Sequence, residues 1–289
     1  MGGRARQGSQ GAFSDVDFCA RIAPDPIPMA KNSTANSNSE AQIELHKKLA
    51  PRYAYRYSFA YSRLYQEDWH KEMIKHVEPG ASKVLDLCCG SGFLLNELEQ
   101  SYPGAVGLDI SFEMLKVADE YVPGALLITG DAEKLPFKPG AFDTVLCKGS
   151  LHHTRDHVAF LSYSAKVLKP GGRLIISEPC NDNRLFHFAR NMLYKFSPHF
   201  EEGDEGFRRK QMIRLYEEAG FEVTAIQRYG FLGYIFSAFP DLVPVTRFLP
   251  FNVALTKFFV AFDRALCKIP VLKLLAFQLI VVGKKRADA

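Results

Sequence analysis

The chain of 289 residues lacks any C-x-x-C pair among its six cysteines. It also lacks a clustered basic stripe, because its formal net charge of only +4 is spread along the sequence. A disulfide scaffold is therefore not predicted, and a reducing, cytoplasmic compartment is favoured. Nucleic acid is not an expected partner. The histidines at positions 157, 187 and 199 lack metal-ligand spacing, so no metal site is predicted.

Long hydrophobic runs are also missing. The longest uncharged run of the C-terminal part, Tyr229 to Pro240, is shorter than the about 20 residues that a membrane-spanning helix needs. Residues 1–40 are polar, without periodic apolar positions, so a disordered tail and no secretory signal are expected there. With 47% hydrophobic and 24% charged residues, the composition is typical of one large globular domain with an adjunct.

Short apolar runs rich in β-forming residues alternate with segments of helical period. The runs are 84–87, 105–108, 125–129, 142–147, 173–177, 221–228 and 276–282. This order predicts an α/β fold, with a seven-stranded, mostly parallel, Rossmann-like sheet covered by helices on both faces. The sequence Lys169-Pro170-Gly171-Gly172 is predicted to end a helix that begins near Arg155.

A glycine-containing turn, Cys88-Cys89-Gly90-Ser91-Gly92, follows the first predicted strand. A helix is predicted from Phe93, and Asp109 follows the second strand, an order typical of a nucleotide-binding crevice at the carboxyl ends of the strands. The dinucleotide pattern G-x-G-x-x-G would need a third glycine where Leu95 stands. The turn therefore indicates a nucleotide-like ligand other than a dinucleotide.

The turn resembles motif I of the class I S-adenosylmethionine-dependent methyltransferases, D/E-x-G-x-G-x-G, with Cys88 at the first glycine. Segments 126–137, 142–154 and 168–179 are similar to later motifs of the family, and the small-molecule branch with the quinone-ring methyltransferases is the most similar. The resemblance implies S-adenosylmethionine as cofactor, with Asp109 at a ribose hydroxyl, Asp131 at the adenine amino group and Ala132 donating a backbone N–H. The cofactor-binding residues it implies are Asp86, Cys88, Gly90, Gly92, Asp109, Ile110, Asp131, Ala132 and Lys148.

The reaction that the resemblance implies is in-line transfer of a sulfonium methyl group, so the protein mainly aligns the reactants. A base can assist by removing a proton from the acceptor. His152 and His153, just beyond the fourth strand, are the nearest titratable candidates, although a His pair here is also a loop feature of the similar family. Glu178 could orient an acceptor hydroxyl or amine. Oxygen, nitrogen and carbon all remain open as the methylated atom.

The chain is predicted to have five segments. They are a disordered tail (1–40), an N-terminal helical lid (41–78), a methyltransferase core (79–229), an apolar helical insert (230–275) and a last strand with a basic tail (276–289). Tyrosines 53, 55, 57, 61 and 65 lie in the lid, and Tyr57 and Tyr61 are the ones expected to face the pocket. The insert is basic and rich in Phe and Leu, which predicts a cap, a homodimer surface or a peripheral membrane contact, with a small or lipid-like acceptor.

Two further interpretations stay open. Cys88 in the turn could weaken cofactor binding, which would leave a non-catalytic binding or partner subunit. A nucleic-acid amino methyltransferase is disfavoured, because Lys148-Gly149-Ser150-Leu151 stands where that class has Asn-Pro-Pro-Tyr or Asp-Pro-Pro-Tyr.

Overall fold

The structure is a computed structural model that describes residues 58–183, 206–240 and 243–287. The predicted tail and Tyr53, Tyr55 and Tyr57 lie outside these residues. The helices are α1 (Ala60–Ile74), α2 (Phe93–Ser101), α3 (Phe112–Tyr121), α4 (His157–Val167), α5 (Arg209–Glu218), α6 (Leu232–Ser237) and α7 (Asn252–Lys268). The strands are β1 (Val84–Leu87), β2 (Val106–Asp109), β3 (Leu126–Thr129), β4 (Phe142–Lys148), β5 (Leu168–Pro179), β6 (Phe221–Tyr229) and β7 (Gln278–Lys285).

Within the described residues, seven strands form one sheet in the order β3-β2-β1-β4-β5-β7-β6. Strand β7 pairs antiparallel with β5 and with β6, whereas β1 pairs in parallel with β2 and β4. The predicted mostly parallel Rossmann-like sheet is thus confirmed. The chain runs outward from β1 to β3 and returns to β4 on the other side, which makes the gap above β1 and β4 the switch point where such sheets bind ligands.

Apolar side chains cover both faces of the sheet because successive residues of a strand point to opposite sides. Cys147 and Ile176 pack with Phe160 of α4 on one face, whereas Leu146 and Ile175 belong to the cluster on the other face. That second cluster also contains Trp69 of α1, Leu95 of α2 and Val260 of α7. Helix α1 is held on the sheet because Trp69 Nε1 donates to Ser177 Oγ of β5 at 3.0 Å.

The helix end predicted at Lys169-Pro170-Gly171-Gly172 is confirmed to within two residues, but strand β5 begins earlier than the predicted Arg173. Helix α4 ends at Val167, and the four residues lie inside β5. Leu168 already has extended backbone and pairs with Phe142 of β4, so strand pairing begins before the proline. The register then shifts, and Thr144 pairs with Arg173, so the two glycines lie in an irregular part of the strand that directly follows the helix end.

The segment between β6 and β7 is mainly helical, with α6, α7 and two short 3-10 turns, Pro244–Phe248 and Leu272–Leu275. Asp263 of α7 joins its two helices, because its carboxylate accepts from the backbone N–H groups of Phe231, Leu232 and Gly233 at the start of α6. These donors are the groups that a helix start leaves unpaired. In the described part of the chain, none of the helices combines the length and apolar character needed to cross a membrane.

Candidate active site

The turn after β1 has left-handed backbone at three positions. The φ angles are +60° at Cys88, +52° at Gly90 and +82° at Gly92, and Cys88 is the one non-glycine residue with positive φ in the described ranges. The turn is held by two backbone hydrogen bonds, from Cys89 N to Leu108 O and from Gly92 N to Cys89 O, each 3.0 Å long. A side chain in this conformation costs about 1–2 kcal/mol, so Cys88 stores strain at the turn.

Replacing Cys88 with Gly should raise the free energy of unfolding by about 0.5–1 kcal/mol, because relief of the left-handed strain exceeds the added entropy of the unfolded chain. Urea denaturation measures the change. Cys88→Ala is the matched control, since it removes the thiol but keeps the Cβ, and it should give no such gain. If both variants raise the free energy of unfolding equally, the effect comes from removal of the sulfur atom, which would contradict backbone strain at Cys88.

Asp109, at the end of β2, connects the ends of three strands. It is only 4% exposed, and its Oδ2 accepts from Gly90 N at 2.9 Å while its Oδ1 accepts from Ser111 N at 2.8 Å. Its backbone oxygen accepts from Gly130 N at 3.0 Å, directly before Asp131. The structure therefore brings Gly90, Asp109 and the Asp131 turn together at one edge of the sheet.

The residues around this edge fit S-adenosylmethionine. Asp86 is buried, and its Oδ2 has no hydrogen-bond partner among the described residues, which leaves an acceptor for an ammonium or hydroxyl group. Burial raises the pKa of Asp86 to about 8, an effect that the nearby Lys148 ammonium opposes. Asp131 is exposed at the end of β3, and Ala132 beside it is buried.

Ile110 and Gly92 are also implied cofactor-binding residues. Ile110, next to Asp109, is half-buried. A Cβ added to Gly92 would lie 3.1 Å from Ala118 Cβ, so Gly92 also permits the close packing of α2 on α3. The glycine at this position therefore serves the packing of the fold as well as the open turn.

Lys148, at the end of β4, contacts side chains of α1. Its Nζ lies 2.6 Å from His70 Nε2, 2.5 Å from Gln66 Oε1 and 4.4 Å from the centre of the Trp69 ring. When Lys148 is an ammonium, which can only donate, His70 Nε2 accepts and His70 Nδ1 carries the proton toward Glu97 Oε1, 2.5 Å away. Sequence reasoning placed Lys148 near the cofactor but missed Gln66, His70 and Glu97, which no motif marks.

Burial shifts the pKa values of Lys148, His70 and Glu97. Desolvation lowers the pKa of Lys148 to about 7, and the carboxylates of Glu97 and Asp86 partly oppose that shift. Desolvation likewise raises the pKa of Glu97 to about 8 and lowers the pKa of His70. The site thus carries titratable groups whose charge changes near neutral pH.

A pH dependence of stability follows from Glu97. Its folded pKa of about 8 exceeds its usual value of 4.5, so the folded chain binds the extra proton between these limits and loses stability as pH rises through them. Gln has the shape of the protonated form and does not titrate. The free energy of unfolding of the natural chain minus that of Glu97→Gln should therefore fall from about pH 4.5 to about pH 8.

Chemical denaturation over this pH series measures the difference. Glu113→Gln is the control, because Glu113 is partly exposed on α3 and forms an ion pair with Lys116 at 3.1 Å. A difference for Glu97→Gln that grows with pH would show that the carboxylate is stabilised in the folded chain, against the expected desolvation.

His152, which is partly buried, pairs with the fully buried Glu178 at the ends of β4 and β5. Glu178 is fully buried, and its Oε1 accepts from Ser150 N at 2.9 Å and from Leu151 N at 2.7 Å. Its Oε2 lies 2.5 Å from His152 Nδ1. The carboxylate therefore fixes the imidazole with its proton on Nδ1, which makes Nε2 the nitrogen that can accept another proton.

The three candidate catalytic residues lie together at the ends of β4 and β5. The rings of His152 and His153 lie 4.0 Å apart between centroids, and one carboxylate oxygen of Glu178, Oε2, contacts His152. Glu178 was expected to orient an acceptor. Glu178 is fully buried and its Oε2 contacts His152 Nδ1, an arrangement that can position the imidazole, and its role toward the acceptor stays a prediction.

A separate cleft of about 310 Å³ lies between α1 and α2. Neither glycine of the turn nor Asp109 or Asp131 lines it, whereas Gln66, His70 and Glu97, which surround Lys148, do. Its lining includes Arg63, Glu67, His70, Phe93, Asn96 and Tyr121.

Comparison with known proteins agrees with this geometry. A family model described as a methyltransferase domain matches residues 85–176. The demethylmenaquinone methyltransferase of Lysinibacillus sphaericus is 31% identical over 56% of this chain and 79% of its own length. The corresponding protein of Lactiplantibacillus plantarum is 30% identical over 56% of this chain and 80% of its own length.

Solved structures show the same fold. A SAM-dependent methyltransferase from Thermotoga maritima has a TM-score of 0.59 at 17% identity, covering 84% of this chain and 99% of its own. The motif residues, the strand order and the relatives' coverage lead to one assignment. The chain belongs to the class I S-adenosylmethionine-dependent methyltransferases, and S-adenosylmethionine is its methyl donor.

Proposed function

We propose that this methyltransferase acts on a small quinone-like molecule through a hydroxyl group on the acceptor ring. The observation that carries the proposal is the contact of His152 with the buried Glu178 carboxylate, which supplies an oriented base at the carboxyl ends of β4 and β5. The names of the Lysinibacillus and Lactiplantibacillus relatives support the acceptor class, since both are demethylmenaquinone methyltransferases.

We propose that the strand-end residues hold the cofactor. When bound, S-adenosylmethionine supplies a methyl group on a sulfonium, which is a good leaving group. The Asp109 carboxylate, already fixed by Gly90 and Ser111, is placed to accept from ribose hydroxyls, and the buried Asp86 oxygen to accept from an ammonium. Asp131 and Ala132 are assigned to the adenine edge. Lys148 lies beside Asp86, where its ammonium favours the ionised carboxylate.

We propose His152 as the general base. Its Nε2 accepts the proton of the acceptor hydroxyl, and the Glu178 carboxylate stabilises the imidazolium that results. The deprotonated ring is electron-rich at the oxygen and at neighbouring ring carbons, either of which can take the methyl group. One proton leaves the acceptor for each methyl group that it receives.

The proposal also covers where the enzyme works and what its 230–275 segment contacts. The five cysteines of the described residues, at positions 88, 89, 147, 180 and 267, are free thiols, which suits a reducing, cytoplasmic location. An apolar acceptor would be met either at a membrane or within a dimer, and the 230–275 segment is the surface that we assign to such a contact.

Labelled methyl transfer tests the function. The purified chain is incubated with methyl-labelled S-adenosylmethionine and a short-chain demethylmenaquinone analogue reduced to its quinol, with the already methylated analogue as control. Label should enter the first compound and not the second. Label that enters neither quinol, in a sample that still binds S-adenosylmethionine, would reject the quinone-like acceptor.

A further inference from the structure

A helix on the surface of a globular protein usually turns its apolar side toward the core and its polar side toward water. Helix α7 shows the opposite arrangement. The residues that it buries against the protein are Thr256, Val260 and Asp263, of which two are polar. Its outer side presents Phe258, which is 59% exposed, and Phe262, whose ring stacks on that of Phe258 at 6.1 Å. These phenylalanines are four residues apart and so share one side of the helix.

The flanking turns extend this surface. Phe248 before the helix is 72% exposed, and Val271 after it is 73% exposed. Eight of the eleven exposed large hydrophobic side chains of the described residues lie in this part of the chain, far more than single scattered residues would give. We call them the apolar face, and its members are Val245, Phe248, Phe251, Phe258, Phe262, Ile269, Val271 and Leu274.

Basic side chains border the apolar face. Lys257 and Lys268 are exposed and, about three helical turns apart, lie on the same flank of α7. Arg247 and Lys273 are exposed in the flanking turns. Asp263 is the sole acidic residue of 243–275, and it is buried and accepts from the start of α6. The outer surface of the segment therefore carries positive charge without carboxylates.

We infer that the apolar face docks on an anionic lipid bilayer, with α7 lying flat in the interface. Phenylalanines would enter the acyl boundary, and Lys257 and Lys268 would meet lipid phosphates. A two-fold homodimer through the same face fits less well, because it would oppose lysine flanks without acidic partners. The inference goes beyond the proposed reaction, since docking does not depend on which acceptor is used.

Vesicle sedimentation of the full chain tests the docking, without any methyl acceptor. Binding is expected to vesicles that contain phosphatidylglycerol with phosphatidylcholine, to be much weaker on phosphatidylcholine alone, and to decrease with salt. Reversal of both lysines, Lys257→Glu with Lys268→Glu, should weaken binding at least about 25-fold, taking about five-fold for each lysine near an anionic surface. Lys116→Glu, on α3, is the matched control and should bind as the natural chain does.

A second variant tests the contribution of the exposed phenylalanines to vesicle binding. Phe258→Ser should weaken vesicle binding about ten-fold or more, whereas Phe112→Ser, equally exposed on α3 at 59%, should not. Absence of vesicle binding by the natural chain would overturn the inference. A dimer in light scattering that Phe258→Ser dissociates would also overturn it and favour self-association. Turnover of a water-soluble acceptor, measured without vesicles, should be the same for Phe258→Ser, so a failure of docking is distinguishable from a failure of the reaction.

Discussion

Replacing Glu178 with Gln is expected to lower kcat by about 10²–10⁴-fold, the contribution of a positioned general base. The substitution keeps a carbonyl oxygen for Ser150 N and Leu151 N, so the turn after β4 should hold. The amide nitrogen, however, would face His152 Nδ1 and donate to it. That contact forces the imidazole proton onto Nε2, which removes the nitrogen that accepts the proton of the acceptor.

Steady-state kinetics with calorimetry of S-adenosylmethionine binding separates this effect from loss of the cofactor site. The Kd for S-adenosylmethionine should stay unchanged while kcat falls. His153→Asn is the matched control, because the His153 ring lies beside that of His152 at a tilt of 43° whereas Glu178 Oε2 contacts His152, and it should keep most of the activity. Equal losses in both variants would contradict the assignment of the base to His152.

Replacing Asp109 with Ala should weaken S-adenosylmethionine binding by about 1–3 kcal/mol through lost charge-assisted hydrogen bonds. The loss also frees the two backbone N–H groups of Gly90 and Ser111 that the carboxylate holds at the strand ends. The turn that carries Gly90 is then less fixed, which adds to the weakening of the cofactor site.

Isothermal titration measures the affinity of this variant. Asp119→Ala is the control, since Asp119 is an exposed carboxylate on the neighbouring helix α3 and should leave the affinity unchanged. An Asp109→Ala variant that is folded and binds as tightly as the natural chain would mean that the ribose assignment is wrong.

The sheet could be predicted from the sequence because its strands are short, apolar and separated by clear turn signals. Strand β1 has the predicted bounds, since Val84–Leu87 is buried throughout and is followed by a glycine-containing turn. Strand β5 begins at Leu168, before the predicted start at Arg173. The sequence Lys169-Pro170-Gly171-Gly172 normally ends a helix, but pairing of Leu168 with Phe142 already fixes the extended backbone there. Local sequence does not contain that long-range contact.

In the site, too, local motifs could be predicted from the sequence and long-range contacts could not. The proximity of Gly90 and Asp109 followed from a local motif, because parallel strands end at the same edge. The pairing of His152 with Glu178 needed the neighbouring positions of β4 and β5 together with the rotamers of both side chains. The contact of Lys148 with His70 joins residues 78 positions apart, and only Lys148 lies in a motif segment. Sequence reasoning therefore reached the residues of motifs and missed the side chains that α1 supplies.

A crystal structure of the chain with S-adenosylhomocysteine would test the central claim most directly. The ribose hydroxyls should lie within hydrogen-bond distance of Asp109, with the adenine beside Asp131 and Ala132 and the sulfur on the side of His152. A ligand bound instead in the cleft between α1 and α2, or away from the ends of β1 to β4, would contradict the account.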